Sequence, residues 1–333
     1  MIQAKRFLVL GAGSWGTALA ILLARNGQQV ALWGHRAAHN HAMAQQRCNQ
    51  RFLPDIVFPE NLQICVDLAS ALQHCDYVLV AVPSHAFAET LQSIKPHWPK
   101  QAGLLWATKG LDPKTGEFLH QIARKTLSAD VPLAVLTGPS FAREVVLQLP
   151  TAVVLASDDL NFAKQIQGYF HTPYFRAYLC TDLIGAEIGG AVKNILAIAV
   201  GIADGLQYGT NTRAALMTRG LAEMIRLGVA LGANKDTFMG LSGLGDLILT
   251  CTDNQSRNRR FGLALGQGKT AEEATQAIGQ VVEGIQTTET ICRVAEQHPI
   301  EIPIIRQMYR VLYQHVTAQQ AVQALLARSA GLE

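Results

Sequence analysis

Residues 6–16 read Arg-Phe-Leu-Val-Leu-Gly-Ala-Gly-Ser-Trp-Gly. The apolar run 7–10 has the length of one buried strand. Gly11, Gly13 and Gly16 then complete a G-x-G-x-x-G. Beyond Gly16 the chain passes through Thr17, Ala18, Leu19, Ile21, Leu22 and Leu23 and meets neither Gly nor Pro until Gly27, which predicts a helix that Gly27 stops. In a strand–turn–helix unit, Gly11 permits the tight turn and Gly13 lets the backbone approach a pyrophosphate. Gly16 lets the helix lie close on the strand. The amides and dipole at the start of the helix favour phosphate groups. A second apolar run at 30–33 follows at the distance a β-α-β unit needs. An ordinary strand-to-helix turn is the bland alternative to a dinucleotide site.

The type of dinucleotide is written after the second strand. A carboxylate there bonds the ribose 2′-hydroxyl of NAD. This chain has Gly34-His35-Arg36 instead. A guanidinium suits a 2′-phosphate, so NADP is preferred and NAD remains usable. The competing reading of Arg36 is a solvated residue in the first turn of a helix.

A chain of 333 residues with 49% hydrophobic content supports two domains with real cores. The formal charge is only +3, which leaves no footprint for nucleic acid or for a membrane surface. Six cysteines show no C-x-x-C and no metal-ligand spacing, as in a reducing cytoplasm, and no metal site is expected. Lys5 and Arg6 precede an apolar run that ends at Gly11, too short for a signal peptide. The most apolar later stretch, 195–203, is too short to span a bilayer, so no stable membrane insertion is expected.

Along the chain, residues 36–62 read as a helix and a loop. Strands are expected at 62–66, 77–82, 103–107, 133–136, 152–156 and 175–179, with helices at 67–74, 117–127 and 160–169. Such alternation argues for a mainly parallel sheet. Ligands in such sheets sit outside the carboxyl ends of the strands. That rule draws attention to His85, Lys109 and Ser140. His85 reads more simply as a loop histidine, and Ser140 either caps a following helix or cradles a ligand. After 182 no strand is apparent. Helices are expected at 182–203, 214–231, 271–279, 283–297, 302–315 and 317–328, with a Gly-rich segment at 239–256.

Four places in this helical half carry chemistry. Lys193 sits mid-helix in the apolar Gly189-Gly190-Ala191-Val192-Lys193-Asn194-Ile195. It is either a cleft lysine suited to proton transfer or a surface lysine whose head reaches water. Ser256-Arg257-Asn258 makes an anion cradle, or else a charged surface loop with Arg259 and Arg260 as solvated neighbours. Asp246, within Gly243-Leu244-Gly245-Asp246-Leu247, could orient a lysine ammonium, bond a substrate hydroxyl or cap a helix. Glu283, after Val281 and Val282, could bond the cofactor or sit as a first-turn acid.

Seven segments in order resemble the bacterial-type NAD(P)-dependent glycerol-3-phosphate dehydrogenase family. They are Gly-Ala-Gly-Ser-Trp-Gly-Thr-Ala at 11–18, Ala-Thr-Lys-Gly-Leu at 107–111, Gly-Pro-Ser-Phe-Ala at 138–142, Lys-Asn at 193–194, Gly-Leu-Gly-Asp-Leu at 243–247, Ser-Arg-Asn at 256–258 and Val-Glu-Gly at 282–284. The resemblance implies an α/β fold class: a Rossmann-like mainly parallel sheet domain over 1–185, then an all-α domain over 186–333 of the 6-phosphogluconate-dehydrogenase-like C-terminal type. It implies NAD(P)-dependent reduction of dihydroxyacetone phosphate to sn-glycerol 3-phosphate, and the reverse, supplying phospholipid synthesis. Lys193 then matches the proton donor and acceptor, with Lys109 and Asp246 beside it as catalytic. Lys109, Gly138, Ser140, Lys193, Asp246, Ser256, Arg257 and Asn258 match substrate contacts. The glycine loop with Ser14, Trp15, His35, Arg36, Lys109, Ala142, Arg257, Val281 and Glu283 match cofactor contacts. Around Gln148 many relatives carry glycine, a departure confined to a local loop. A β-hydroxyacid or ketopantoate-type reductase would share the layout, and a non-catalytic NADPH sensor would share the first half. The Ser-Arg-Asn cradle favours a phosphorylated substrate. The apolar helical half suggests a homodimer.

Overall fold

The apolar run that precedes the glycines is strand β1 (Arg6–Leu10), buried at every position after Arg6. The computed structural model describes residues 3–328. Helix α1 (Ser14–Arg25) follows, and every residue from Gly16 to Ala24 is buried. A helix apolar on all sides belongs inside a protein. Gly16 allows this packing, because a Cβ there would lie 1.9 Å from the Gly11 carbonyl oxygen. Then come β2 (Gln29–Trp33), α2 (Ala37–Gln46), β3 (Cys48–Asn49), β4 (Leu53–Val57), β5 (Leu62–Ile64), α3 (Leu68–Gln73), β6 (Tyr77–Val80) and α4 (Ser84–Ile94). The remainder of this unit is β7 (Gly103–Trp106), α5 (Leu119–Thr126), β8 (Leu133–Thr137), α6 (Ala142–Val146), β9 (Thr151–Ala156), α7 (Leu160–Phe170) and β10 (Phe175–Cys180).

Eight strands form one sheet in the order β10-β9-β8-β7-β6-β1-β2-β5. Every neighbouring pair is parallel except β8 and β9, which run antiparallel with Val135 opposite Ala156 and Thr137 opposite Val154. The reversal follows from the connection. Only the five-residue α6 lies between β8 and β9, too little for a crossover back to the other end of the sheet. Residues 36–62, read from sequence as a helix and a loop, also contain the small antiparallel pair β3–β4. Helix α4 falls in a stretch to which no element was assigned. Its buried Ser84, Phe87, Leu91 and Ile94 recur at helical spacing. Ser140 does not cap α6: Phe141 holds the N-cap position, and the Ser140 hydroxyl donates to the Gly138 carbonyl at 3.0 Å. Gln148, just past α6, has φ +61°. This is the left-handed region in which glycine costs least.

By its contacts the chain divides at Leu183/Ile184 rather than at 185/186, and the short segment Pro113–Gly116 belongs with the second unit. Arg293 donates to the Pro113 carbonyl at 2.6 Å, which ties that segment in. The second unit is helical: α8 (Leu183–Gly205), α9 (Gly209–Ala230), α10 (Asp246–Thr252), α11 (Arg257–Gly266), α12 (Ala271–Ile278), α13 (Glu283–Ala295), α14 (Pro303–Tyr313) and α15 (Ala318–Leu326). Helix α8, at 23 residues, is longer than the apolar stretch 195–203 and is long and apolar enough to cross a bilayer. Yet 94% of its apolar window is buried inside the protein, as for a core helix. It crosses α11 with the backbones in contact: a Cβ on Gly201 would lie 2.2 Å from the Arg259 carbonyl oxygen, and one on Gly262 2.1 Å from that of Ile198. Just before α10 the chain makes one wide turn, Leu241–Gly245, closed by Gly245 N–H donating to the Gly240 carbonyl at 3.1 Å. Such single π turns are frequent at functional sites.

Helix α14 has Ile302 at its N-cap and Pro303 as its first residue, and neither offers a side-chain cap. The cap comes from α9. Glu223, 1% exposed, accepts from Ile304 N–H at 2.7 Å and from Ile305 N–H at 3.1 Å. Burial pushes its carboxyl from 4.5 up to about 7, against the lowering effect of those two hydrogen bonds. A carboxyl raised in the folded state favours folding in its protonated form. Its cost is therefore absent below about 4.5 and complete above about 7. Stability should fall as pH rises through that window, by up to about 3 kcal/mol. Thermal unfolding midpoints of the wild type and Glu223→Gln, measured between those limits, check this. The difference between the two proteins should change steadily with pH, and a difference that is flat across the window would contradict the assignment.

Candidate active site

The glycine turn builds an anion cradle on the first unit. Gly11 has φ +117°, and a Cβ on it would lie 2.6 Å from the Ala81 carbonyl oxygen. A Cβ on Gly13 would meet nothing within 4 Å, so the backbone is open to a ligand on that side. Gly13 is also the N-cap of α1 and places no side chain on the first-turn amides. The buried indole Nε1 of Trp15 has no hydrogen-bond partner. Ser14 Oγ donates to the Phe52 carbonyl at 2.9 Å, anchoring the turn to the start of β4. Open amides, a permissive backbone and an unsatisfied N–H donor fit a dinucleotide pyrophosphate.

The end of β2 is held by Asn40. Its side chain accepts from Gly34 N–H at 3.1 Å and donates to the Gly34 carbonyl at 2.7 Å. This fixes the backbone that carries His35 and Arg36, both exposed. Arg36 stands at the N-cap of α2. Elsewhere on the unit three predicted residues converge. Lys109 Nζ donates to the Gly138 carbonyl at 3.4 Å, and the Ser140 hydroxyl donates to the same oxygen. Ala142 opens α6 and packs against the core. His85 lies exposed in the first turn of α4.

On the second unit the two readings of Lys193 separate. Lys193 is 6% exposed on α8, and Asp246, the first residue of α10, is fully buried. Lys193 Nζ donates to Asp246 Oδ1 and, at 2.8 Å, to Thr250 Oγ1. Thr250 in turn donates to the Asp246 backbone carbonyl at 2.6 Å. Thr250 was missed from sequence. The signal was present, since a residue four positions after Asp246 lies on the same helix face. A buried ammonium held by a carboxylate and a hydroxyl can stabilise charge that develops on a ketone oxygen and protonate it.

The Ser256-Arg257-Asn258 segment opens α11 and is no surface loop. Ser256 is buried and caps the helix, accepting from Arg259 N–H at 3.2 Å. Asn258 Nδ2 donates to Asn194 Oδ1 at 2.9 Å, and its Oδ1 accepts from Gly284 N–H at 2.9 Å. It thus links the residue after Lys193 to the start of α13. Arg257 is half-buried and donates from Nη1 to the Val281 carbonyl at 2.9 Å. Burial pushes its guanidinium below the ordinary value, and the carboxylate of Glu283, in the first turn of α13, opposes that. Val281 itself is 45% exposed. Arg260 is exposed as expected. Arg259, expected to be solvated beside it, is 8% exposed and pairs with Asp204. The reason is helical phase: Arg259 faces α8, whereas Arg257 and Arg260 do not share that face.

Comparison with known proteins places the chain in a family. Residues 7–163 match the family model for the N-terminus of NAD-dependent glycerol-3-phosphate dehydrogenase, and 182–323 match that for its C-terminus. A glycerol-3-phosphate dehydrogenase [NAD(P)+] from Yersinia pestis is 54% identical over 322 residues, covering 96% of this chain and 95% of that one. The crystal structure of glycerol-3-phosphate dehydrogenase from Coxiella burnetii superposes with a TM-score of 0.95 at 49% identity, over 98% of this chain and 99% of that one. A Plasmodium falciparum glycerol-3-phosphate dehydrogenase structure shares the fold, with a TM-score of 0.88 at 22% identity, over 99% of this chain and 97% of that one. This chain belongs to the NAD(P)-dependent glycerol-3-phosphate dehydrogenase family.

Proposed function

We propose that Lys193 supplies the proton as this chain, an NAD(P)-dependent glycerol-3-phosphate dehydrogenase, reduces dihydroxyacetone phosphate to sn-glycerol 3-phosphate. The observation that carries this reading is the buried Lys193–Asp246–Thr250 cluster. The nicotinamide, when bound, supplies the hydride to the ketone carbon. Lys193 donates its proton to the ketone oxygen, giving a secondary alcohol, and takes one back in the reverse direction. Asp246 holds the ammonium at the reacting oxygen, and Thr250 fixes Asp246. Ser256, Arg257 and Asn258 receive the substrate phosphate, whose binding energy positions the remote carbonyl. Lys109, Gly138 and Ser140 make further substrate contacts, and Lys109 also meets the cofactor together with Ala142, Arg257, Val281 and Glu283.

The glycine loop, Ser14 and Trp15 hold the pyrophosphate, while His35 and Arg36 receive the adenosine end. Arg36 makes NADP the preferred cofactor, with NAD accepted. Support for the wider setting is of a different kind. All six cysteines are free, in keeping with a reducing cytoplasm, and the apolar core helix is enclosed by protein. A homodimer and a supply of glycerol 3-phosphate to phospholipid synthesis complete the proposal.

Oxidation of NADPH and NADH, followed with dihydroxyacetone phosphate as substrate, tests the cofactor assignment. Turnover is expected with both, at the higher kcat/KM for NADPH. Arg36→Ala should raise KM for NADPH by about tenfold and leave KM for NADH nearly unchanged. Equal changes for both cofactors would remove Arg36 from the 2′-phosphate site. Thr250→Val tests the proton cluster by deleting one hydroxyl at constant shape. Its kcat should fall by roughly 10- to 100-fold with NADPH affinity intact. Unchanged kcat would exclude Thr250 from the machinery.

A further inference from the structure

Arg259 makes more directed contacts than a solvated arginine needs. Its Nε donates to the Cys251 carbonyl at 3.0 Å. Its Nη1 donates to Asn254 Oδ1, and its Nη2 donates to Asp204 Oδ2 at 2.5 Å. Each acceptor sits on a different part of the proposed site's framework. Cys251 follows Thr250 on α10, and Asn254 lies in the turn that leads into Ser256. Asp204 lies in the last turn of α8, the helix that carries Lys193 and Asn194. The charges of Arg259 and Asp204 are almost fully withdrawn from water, at 9% and 8% side-chain exposure.

We infer that Arg259 is a positioning residue that keeps the proton cluster and the phosphate cradle in register. Its planar guanidinium bonds in three directions at once. A lysine ammonium at the same place keeps the charge and loses that fork. Without the fork, α10 and the start of α11 lose their shared anchor to α8, and Thr250 and Arg257 shift independently. A shift of about 1 Å in such groups costs on the order of 100-fold in rate. The inference rests on the assignment of Lys193 and Ser256–Asn258 given above and extends it to a residue not assigned a role there. Arg213 provides the contrast. It also bonds Asp204, through Nε at 3.0 Å and Nη2 at 2.9 Å, but from α9. Both of these bonds end on Asp204, and neither goes to α10 or to the turn before Ser256.

The test compares Arg259→Lys with Arg213→Lys, with enzyme concentration set by NADPH-binding sites from fluorescence titration. Arg259→Lys should lower kcat/KM for dihydroxyacetone phosphate by roughly 30- to 100-fold, with KM and the inhibition constant for inorganic phosphate both raised. Its Kd for NADPH should stay within about twofold of wild type. Arg213→Lys should leave kinetics within about twofold and lower only the unfolding midpoint. Should Arg259→Lys not fold, Asp204→Asn keeps the shape, weakens the same anchor and should raise both constants in the same way. An Arg259→Lys enzyme with wild-type KM and phosphate inhibition per binding site overturns the inference, as does an equal kinetic loss in Arg213→Lys. If the wild type itself fails to oxidise NADPH with dihydroxyacetone phosphate, the underlying functional reading falls and takes this inference with it.

Discussion

The buried ion pair between Lys193 and Asp246 is the constraint to which the helical unit is fitted. Both charges are out of water, and a pair taken so deep repays its desolvation only with close geometry and further hydrogen bonds. Thr250 supplies one of those bonds and fixes the carboxylate's own helix turn. Deleting one partner would strand the other charge, at a cost of roughly 3–5 kcal/mol.

Close backbone approach makes the pair possible. Helix α8 must meet the turn before α10 nearly backbone to backbone, and a Cβ on Gly189 would lie 2.2 Å from the Ser242 carbonyl oxygen. The wide turn at Leu241–Gly245 then delivers Asp246 as the first residue of α10, where a carboxylate also gains from the helix dipole. On the sheet unit the same economy appears at Gly11 and Gly16, whose missing side chains leave room for the turn and the helix behind it. In both units glycine spaces the backbone so that amides or charges can face a ligand.

Much of this was legible in the sequence because it is local. The run 6–16 carries strand, turn and helix within one span, and the alternation of apolar runs and helical stretches announced a mainly parallel sheet. What depended on distant partners was not legible. Lys193 and Asp246 stand 53 residues apart, so nothing near Lys193 showed whether it was buried or solvated. Arg259 sits in a run of arginines that looks solvated throughout, and its partner Asp204 lies 55 residues earlier. The β3–β4 pair escaped because β3 is two residues long, too short for an alternating pattern. Helix α8, expected over 182–203, runs from Leu183 to Gly205, because its small and apolar residues form one unbroken local pattern.

The central claim is that Lys193 moves the proton and leaves dinucleotide binding to other residues. Lys193→Ala, assayed for NADPH binding by fluorescence and for turnover with dihydroxyacetone phosphate, tests this most directly. The account predicts wild-type NADPH affinity with turnover reduced by about 1,000-fold or more. Turnover equal to wild type would contradict it.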